Sequence, residues 1–350
     1  MNQSTQPVNK YQEVYGESFS LYSLSEVRDF TEFLRIRFRT NDIDPVTTVA
    51  GMNCLDAGCG NGRGALFMLE SGASHVTAVD ISQSNVSSTE EHCRSAGFEN
   101  ITASIASLDN LSYETGSFDF VWCNGVLMHT ENPSACLAEI TRVLKVGGNG
   151  WFYVYGEGGI YWYLIQSIRE AVAEISAAEV LATLKLMGLD TRYIAEYIDD
   201  WKVPYLRTYT PEIVNRALVE LGYLDPIRLM QGHNYDTCDR LFRYPEDACW
   251  FGSGDLRYLV TKNTETNPSL GALAFLDDPG PSAWSNEVIE MFEPLVKRLA
   301  LSVQNDRTIG LMCCARVQRE LRDLMSQTGN FLAEEFRSRF SQLIDLAESV

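Results

Sequence analysis

One short stretch constrains this chain more than any other. Met52-Asn53-Cys54-Leu55-Asp56 is a brief apolar run ending in a carboxylate, and Ala57-Gly58-Cys59-Gly60-Asn61-Gly62 follows at once. The run predicts a buried strand, and the glycines a sharp turn that brings backbone close to a ligand without a Cβ clash. A helix is expected over Gly64 to Ser71, and then a second strand, Ser74 to Asp80, again ends on an acid. Further helices are predicted over Ser82 to Ala96 and Asn132 to Leu144. Strands are predicted over Ile101 to Ile105, Ser117 to Cys123 and Gly150 to Tyr155. Strands alternating with helices build parallel βαβ units, whose sheet is covered on both faces. The expected fold is α/β, a Rossmann-like doubly wound sheet.

Ligands of such sheets bind beyond the carboxyl ends of the strands, near the point where strand order reverses. Asp80, at the end of the second strand, can there accept hydrogen bonds from both hydroxyls of a ribose. A nicotinamide-binding dehydrogenase has a similar turn and acid. Its turn, however, carries a third glycine placed for a pyrophosphate, whereas Gly58-x-Gly60-x-Gly62 suits a ligand without one.

Five segments in order resemble the class I S-adenosylmethionine-dependent methyltransferases. They are Asp56-Ala57-Gly58-Cys59-Gly60-Asn61-Gly62, Val79-Asp80-Ile81-Ser82, Gly116-Ser117-Phe118-Asp119-Phe120-Val121, Cys123 to His129, and Leu137 to Gly148. The resemblance is strong over about residues 53–155 and weak over 209–262. It implies S-adenosyl-L-methionine as cofactor, held by Asp56, Gly58, Cys59, Gly60, Asn61 and Gly62. Asp80 would take the ribose, Ile81 the adenine face, and Asn124 and Val126 would lie near the cofactor. Ser107 and Leu108 fall where the family often has an Asp-Ala pair near the adenine amino group. Ser107 departs from that pattern, with Asp109 as the substitute, and Val146 stands where the family usually has proline.

Methyl transfer asks little covalent work of a protein, because the sulfonium is already an activated electrophile. Alignment of nucleophile, methyl and sulfur is the main demand. A base is needed only where the nucleophile must lose a proton. His129 is the one histidine predicted near the carboxyl ends of the strands and titrates in the useful range, so it is the candidate base; the alternative is that it holds its loop through the backbone. Tyr155, Tyr161, Trp162 and Trp201, with His233, are candidate substrate residues. Dense aromatics form an apolar cage over a small ligand or hold a cation, and they equally well pack a helical lid on a core. Tyr11, Tyr15 and Tyr22 are candidates for an N-terminal cap over the cofactor.

Around this domain, expected over residues 46–262, the alternation lapses. Residues 1–45 read as an N-terminal cap with a helix from Leu24 to Arg39. A helical insertion, the lid, is expected over about 156–207. It contains a continuous helix from Ile160 to Leu186 and another from Arg192 to Asp200. Pro211 to Leu221 reads as a helix, and Pro226 to Met230 and Asp255 to Thr261 as closing strands. A proline-bearing linker over 263–285 leads to an all-helical C-terminal extension, 286–350, with three amphipathic stripes. Those stripes suit packing on the main domain or on a second subunit, so a homodimer through the lid or the C-terminal helices is one expectation.

Composition narrows the partners. Forty-seven acidic residues against 28 basic ones leave a net charge of -19, which repels phosphate backbones and anionic lipid. No nucleic-acid or membrane partner is expected, and an Asn/Asp-Pro-Pro-aromatic motif of base-amine methylation is absent at Cys123 to Val126. The nine cysteines form no Cys-x-x-Cys pair and do not group with the four histidines, so no metal is expected and the thiols read as reduced. No apolar run nears the roughly 18 residues of a membrane helix, and Met1 to Lys10 lacks a signal-peptide layout, so a cytoplasmic location is expected. The expected activity is methylation of a small metabolite or biosynthetic intermediate at O, N or C. A protein or peptide methyltransferase, drawn to a basic partner, and a non-catalytic cofactor-binding assembly module are the alternatives.

Overall fold

The computed structural model describes residue 14, residues 22–327 apart from 235, 267–268, 281–283 and 285, and residue 342. Helix α1 is Leu24–Thr40 and α2 Pro45–Val49; then come β1 (Asn53–Ala57), α3 (Arg63–Glu70), β2 (His75–Asp80), α4 (Gln83–Ser95), β3 (Ile101–Ile105) and β4 (Phe118–Asn124). A 3-10 turn, Leu127–His129, precedes α5 (Pro133–Val143) and β5 (Leu144–Tyr155). Next are α6 (Gly159–Ala171), α7 (Ala177–Leu186), α8 (Thr191–Lys202), α9 (Pro211–Glu220), α10 (Thr237–Arg243), α11 (Ala248–Phe251), β6 (Asp255–Thr261), α12 (Asn286–Asn305) and α13 (Arg307–Gln327).

The described residues divide into two compact units, one within 1–156, 204–242 and 253–281, the other within 157–203, 243–252 and 282–350. The first unit holds the sheet, in the order β3-β2-β1-β4-β5-β6. Strands β1 to β5 run parallel, and β6 pairs antiparallel with β5. Order reverses between β1 and β4, so the carboxyl ends of those two strands flank the crevice where open α/β sheets take ligands. Cys54, Leu55 and Ala57 in β1 and Phe120, Val121 and Cys123 in β4 are wholly buried, as a sheet covered on both faces requires.

Helix α1 starts on a capping box, Ser23 with Glu26, and lays Phe38 against the sheet. There Phe38 stacks on Trp151 (5.0 Å, 14°), and Trp151 on Trp122 (4.9 Å, 8°), a parallel aromatic pile between α1, β4 and β5. The other face carries an apolar core with Leu137, Ile140, Val143, Phe152 and Val154.

Three expectations need correction. The continuous helix over Ile160 to Leu186 is two helices, because Ser176 and Glu179 form a second capping box that starts α7 afresh. The strand at Pro226 to Met230 does not form. Pro226 has no N–H to give a ladder, Asp225 adopts a left-handed φ of 45°, and only Arg228 bridges to Tyr258. Strand β5 starts at Leu144 rather than Gly150, running through a register irregularity beside Gly147 at φ 82°. Within 263–285, Leu270–Leu276 form 3-10 turns that bury Leu273 in the core of the first unit. Tyr11, Tyr15 and the third C-terminal stripe lie outside the described residues.

In the second unit, Tyr161, Asp200 and Gln318 meet. The Tyr161 hydroxyl donates to Asp200 Oδ2 at 2.7 Å, and Gln318 Nε2 donates to the same oxygen at 2.7 Å. Gln318 Oε1 accepts from Trp201 Nε1 at 2.7 Å, and Arg322 pairs with Glu196. One polar cluster thereby ties α6, α8 and α13 together. Among the described residues, no helix is long and apolar enough to cross a membrane, and no group of His, Cys, Asp and Glu could hold a metal.

Candidate functional site

The turn between β1 and α3 is built on left-handed glycines. Gly58 sits at φ 83°, where a Cβ would lie 2.6 Å from Val126 Cγ2. Gly62 sits at φ 88°, where a Cβ would lie 2.9 Å from the Thr89 backbone. Any larger residue at either position meets both a backbone strain and a collision. The first contact also joins two predicted site segments, since Val126 follows β4 while Gly58 follows β1.

Asp80 is locked to this turn. Its Oδ2 accepts the Gly60 N–H at 3.0 Å, and its Oδ1 accepts the Ser82 N–H at 2.9 Å and Asn85 Nδ2 at 3.2 Å. Burial pushes the Asp80 carboxyl above its ordinary range, and these donors oppose that push. Asp56, near the end of β1, lies deeper, 2% exposed. Burial raises it to about 7, against a backbone hydrogen bond from Ala65.

Helix α4 fixes the turn from the other side. Thr89 Oγ1 donates to the Gly60 carbonyl at 3.0 Å, and His92 Nδ1 lies 2.8 Å from the Asn61 carbonyl. Ser82, Asn85, Thr89 and His92 were missed by the sequence reading. Their spacing of three, four and three residues carried the signal: a polar stripe on the face that an α/β helix turns to its sheet.

A cluster of unsatisfied polar atoms marks this cradle. Asp56 Oδ2, both side-chain polar atoms of Asn61 and Asn85 Oδ1 are buried without a hydrogen-bond partner among the described residues. Each such atom costs about 1–3 kcal/mol unless something satisfies it. Their concentration around one glycine turn fits a polar, multi-donor ligand such as an adenosyl amino acid.

The remaining predicted positions are spread more widely. Ile81 is half-buried beside Asp80. Leu108 is buried in the core, while Ser107 is exposed and donates to Asp109 Oδ1 at 2.5 Å. Asn124, at the end of β4, uses Oδ1 to accept from Trp151 Nε1 at 2.9 Å. His129 is 4% exposed, with Nδ1 3.0 Å from the Tyr205 carbonyl and its ring edge-on to Tyr155 at 5.4 Å. His233 packs on Phe33 at 4.7 Å. Tyr161, Trp162 and Trp201 belong to the second unit, where Trp162 meets Tyr161 edge-on at 5.4 Å and Trp201 stacks on Tyr197.

A buried ion network also lies at the carboxyl end of β5. Arg257, 2% exposed, reaches Asp255 at 2.9 Å and Asp236 at 3.1 Å and covers the Tyr153 ring at 4.8 Å. Arg37 of α1 grips Asp236 through Nε at 2.8 Å and a terminal nitrogen at 2.7 Å. The Tyr153 hydroxyl donates to Asp255 at 2.9 Å, and the Tyr153 carbonyl accepts the N–H of Gly125 at 3.0 Å. The network thereby anchors α1 and Asp236 beside the crevice.

Comparison with known proteins agrees with this geometry. Residues 55–152 match the family model described as a methyltransferase domain. A ubiquinone biosynthesis O-methyltransferase of Methylococcus capsulatus is 29% identical over 165 residues, which is 47% of this chain and 63% of that protein. One from Thiobacillus denitrificans is 27% identical over 241 residues, 69% of this chain and 90% of the relative. A glycine/sarcosine/dimethylglycine N-methyltransferase of Actinopolyspora halophila is 32% identical over 112 residues, 32% of this chain and 19% of the relative. The match thus spans less than two thirds of the Methylococcus and Actinopolyspora proteins. With five motifs in order, a glycine turn locked to the acid of the second strand and the family match over the same residues, the chain carries a class I S-adenosylmethionine-dependent methyltransferase domain.

Proposed function

We propose that this chain is an enzyme that methylates a small metabolite or biosynthetic intermediate, with His129 as the base where the acceptor must lose a proton. One observation carries the assignment of His129. A carbonyl oxygen only accepts, so the contact of Nδ1 with Tyr205 O puts the proton on Nδ1, and Nε2 becomes the nitrogen that takes a proton. Its place just after β4, within reach of the topological switch point, suits that role.

The bound cofactor would supply an electrophilic methyl on a sulfonium. The protein's own groups do the rest. Asp80 and the glycine turn hold the adenosyl amino acid, Val126 closes over Gly58, and Tyr155 supports the His129 ring edge-on. Catalysis then rests on alignment and on removal of one proton. The acceptor side favours small molecules, because the net charge of -19 opposes nucleic acid and the two ubiquinone-pathway relatives are named for O-methylation.

Incubation with methyl-labelled cofactor and a metabolite extract tests the reading. Label in small molecules is the expected result; label in protein would move the acceptor to a polypeptide, and binding without turnover would leave an assembly module. Once an acceptor is found, His129→Asn is expected to slow turnover about 100-fold or more while leaving cofactor affinity unchanged. An unaltered rate would make His129 a loop anchor only.

A further inference from the structure

Burial along β4 stops at one residue. Phe120, Val121, Trp122 and Cys123 are buried, whereas Asn124, Gly125 and Val126 are half-buried. Val126 lies against Gly58 of the glycine turn, and Asn124 pairs in register with Tyr153 of β5. Asn124 therefore stands where the carboxyl end of β4 opens into the crevice between β1 and β4. Its amide has a fixed sense. Asn124 Oδ1 accepts from Trp151 Nε1 at 2.9 Å, and an indole nitrogen can only donate. Trp151 is wholly buried and stacked between Phe38 and Trp122, at 14° and 8°, which holds its ring in place. Turning the amide over would set its NH2 against the indole N–H, donor against donor, and leave that buried N–H without an acceptor. Nδ2 is thus directed away from Trp151. It makes no hydrogen bond among the described residues and is not sealed from solvent. The neighbouring Tyr153 hydroxyl is already engaged with Asp255 at 2.9 Å.

We infer that Asn124 is a specificity-determining residue: its locked amide presents the Nδ2 hydrogens to the crevice, where they donate to an oxygen of the bound ligand. The inference rests on the cofactor reading above. A lone-pair oxygen fits such a donor, a carboxylate best of all, because a charged acceptor makes the shorter and stronger bond. An ammonium brings donors only and is turned away there. Two ligand oxygens meet this description, the α-carboxylate of the adenosyl amino acid and an oxygen of the methyl acceptor. The chemistry is the same for both. It also accounts for asparagine rather than aspartate at this position. A carboxylate at 124 would accept from Trp151 equally well, yet would meet the ligand oxygen with a second acceptor and a like charge.

Asn124→Asp keeps the acceptor for Trp151 and reverses the group that faces the ligand. Calorimetry on the full chain compares S-adenosylhomocysteine with its decarboxylated analogue, which lacks only the α-carboxylate. Methyl-labelled S-adenosylmethionine with a metabolite extract follows the acceptor. If the oxygen is the cofactor's carboxylate, the substitution should weaken S-adenosylhomocysteine about 10- to 100-fold and leave the analogue within about twofold. If the oxygen belongs to the acceptor, both thioethers should bind as before, while labelled small-molecule product falls about tenfold or more. An equal loss of affinity for the two thioethers overturns the inference, and so does a variant in which neither affinity nor labelling changes. Asn124→Ala removes the donor without adding charge. It should give the same pattern at smaller amplitude, and it decides the question if the aspartate variant does not fold. Failure of the unaltered chain to bind either thioether would strike the cofactor reading itself.

Discussion

Asp236→Asn isolates the ion network beside the crevice. The substitution keeps shape and volume, so it leaves no cavity, but it removes the charge that two guanidiniums share. Arg257 is 2% exposed and would keep one carboxylate, Asp255 at 2.9 Å, beside its hydrogen bond to the Cys238 sulfur. Arg37, with its side chain 19% exposed, would lose the carboxylate charge from both of its short bonds and one of the two acceptor oxygens. Breaking a buried pair by removing one partner costs about 3–5 kcal/mol. Water reaching Arg37 and the surviving Asp255 contact argue for about 3 kcal/mol, the low end of that range. That is a large share of the 5–15 kcal/mol by which domains of ordinary size are stable. Burial pushes the Asp236 carboxyl up, yet Arg257 and Arg37 outweigh it and hold the group well below the usual carboxylate range. Its stabilising contribution is therefore complete above the ordinary aspartate value and is lost as pH falls below it. Urea unfolding followed by tryptophan fluorescence would measure the loss, for Asp236→Asn, for Arg37→Met and for the pair. The two changes should be strongly non-additive, since both break the same contact. A loss under about 1 kcal/mol, or strict additivity, would refute the reasoning. Acid sensitivity unchanged by Asp236→Asn would do the same.

Three further outcomes are expected. Asp80→Ala should weaken S-adenosylmethionine binding by roughly 10- to 100-fold in calorimetry, through loss of charge-assisted hydrogen bonds and of the Gly60 anchor. Gly64→Ala should destabilise the first unit by about 1–2 kcal/mol in thermal unfolding, despite alanine's helix propensity, because the added Cβ would lie 2.6 Å from Trp122 Nε1 and 2.9 Å from Asp56 Oδ2. In the second unit, burial, with Glu196 and Asp199 adding to it, raises Asp200 to about 8. A carboxyl raised on folding contributes stability that is lost as pH climbs from the ordinary range to that value. Hydrogen exchange in α8 should therefore quicken over that climb, and Asp200→Asn should flatten the response.

Strands β1, β2, β4 and the Gly150–Tyr155 part of β5 were legible because each is a short apolar run closed by an acid, an asparagine or a glycine, and a sheet buried on both faces imposes that pattern. The glycine turn was legible for the same reason: local backbone geometry dictates residue type. What sequence hid is contact across distance. Tyr205 lies 76 residues from His129, and Asp236 lies 199 from Arg37, so neither partner could be paired from spacing. The stripe Ser82, Asn85, Thr89 and His92 was hidden differently. Polar residues on a helix read as solvent-facing, but here they hold loop carbonyls and a carboxylate. In the aromatic segment, composition alone could not show that Tyr161 and Trp201 have internal partners in Asp200 and Gln318.

The pile of Phe38, Trp151 and Trp122 has a practical consequence. Two indoles stacked nearly parallel at 4.9 Å couple their transitions, which gives the near-ultraviolet dichroism of the first unit a built-in optical signature. Phe38 lies on that pair as part of α1, so detachment of the helix would alter the spectrum without any added label. Movement of α1 could thus be timed in the native protein by light alone.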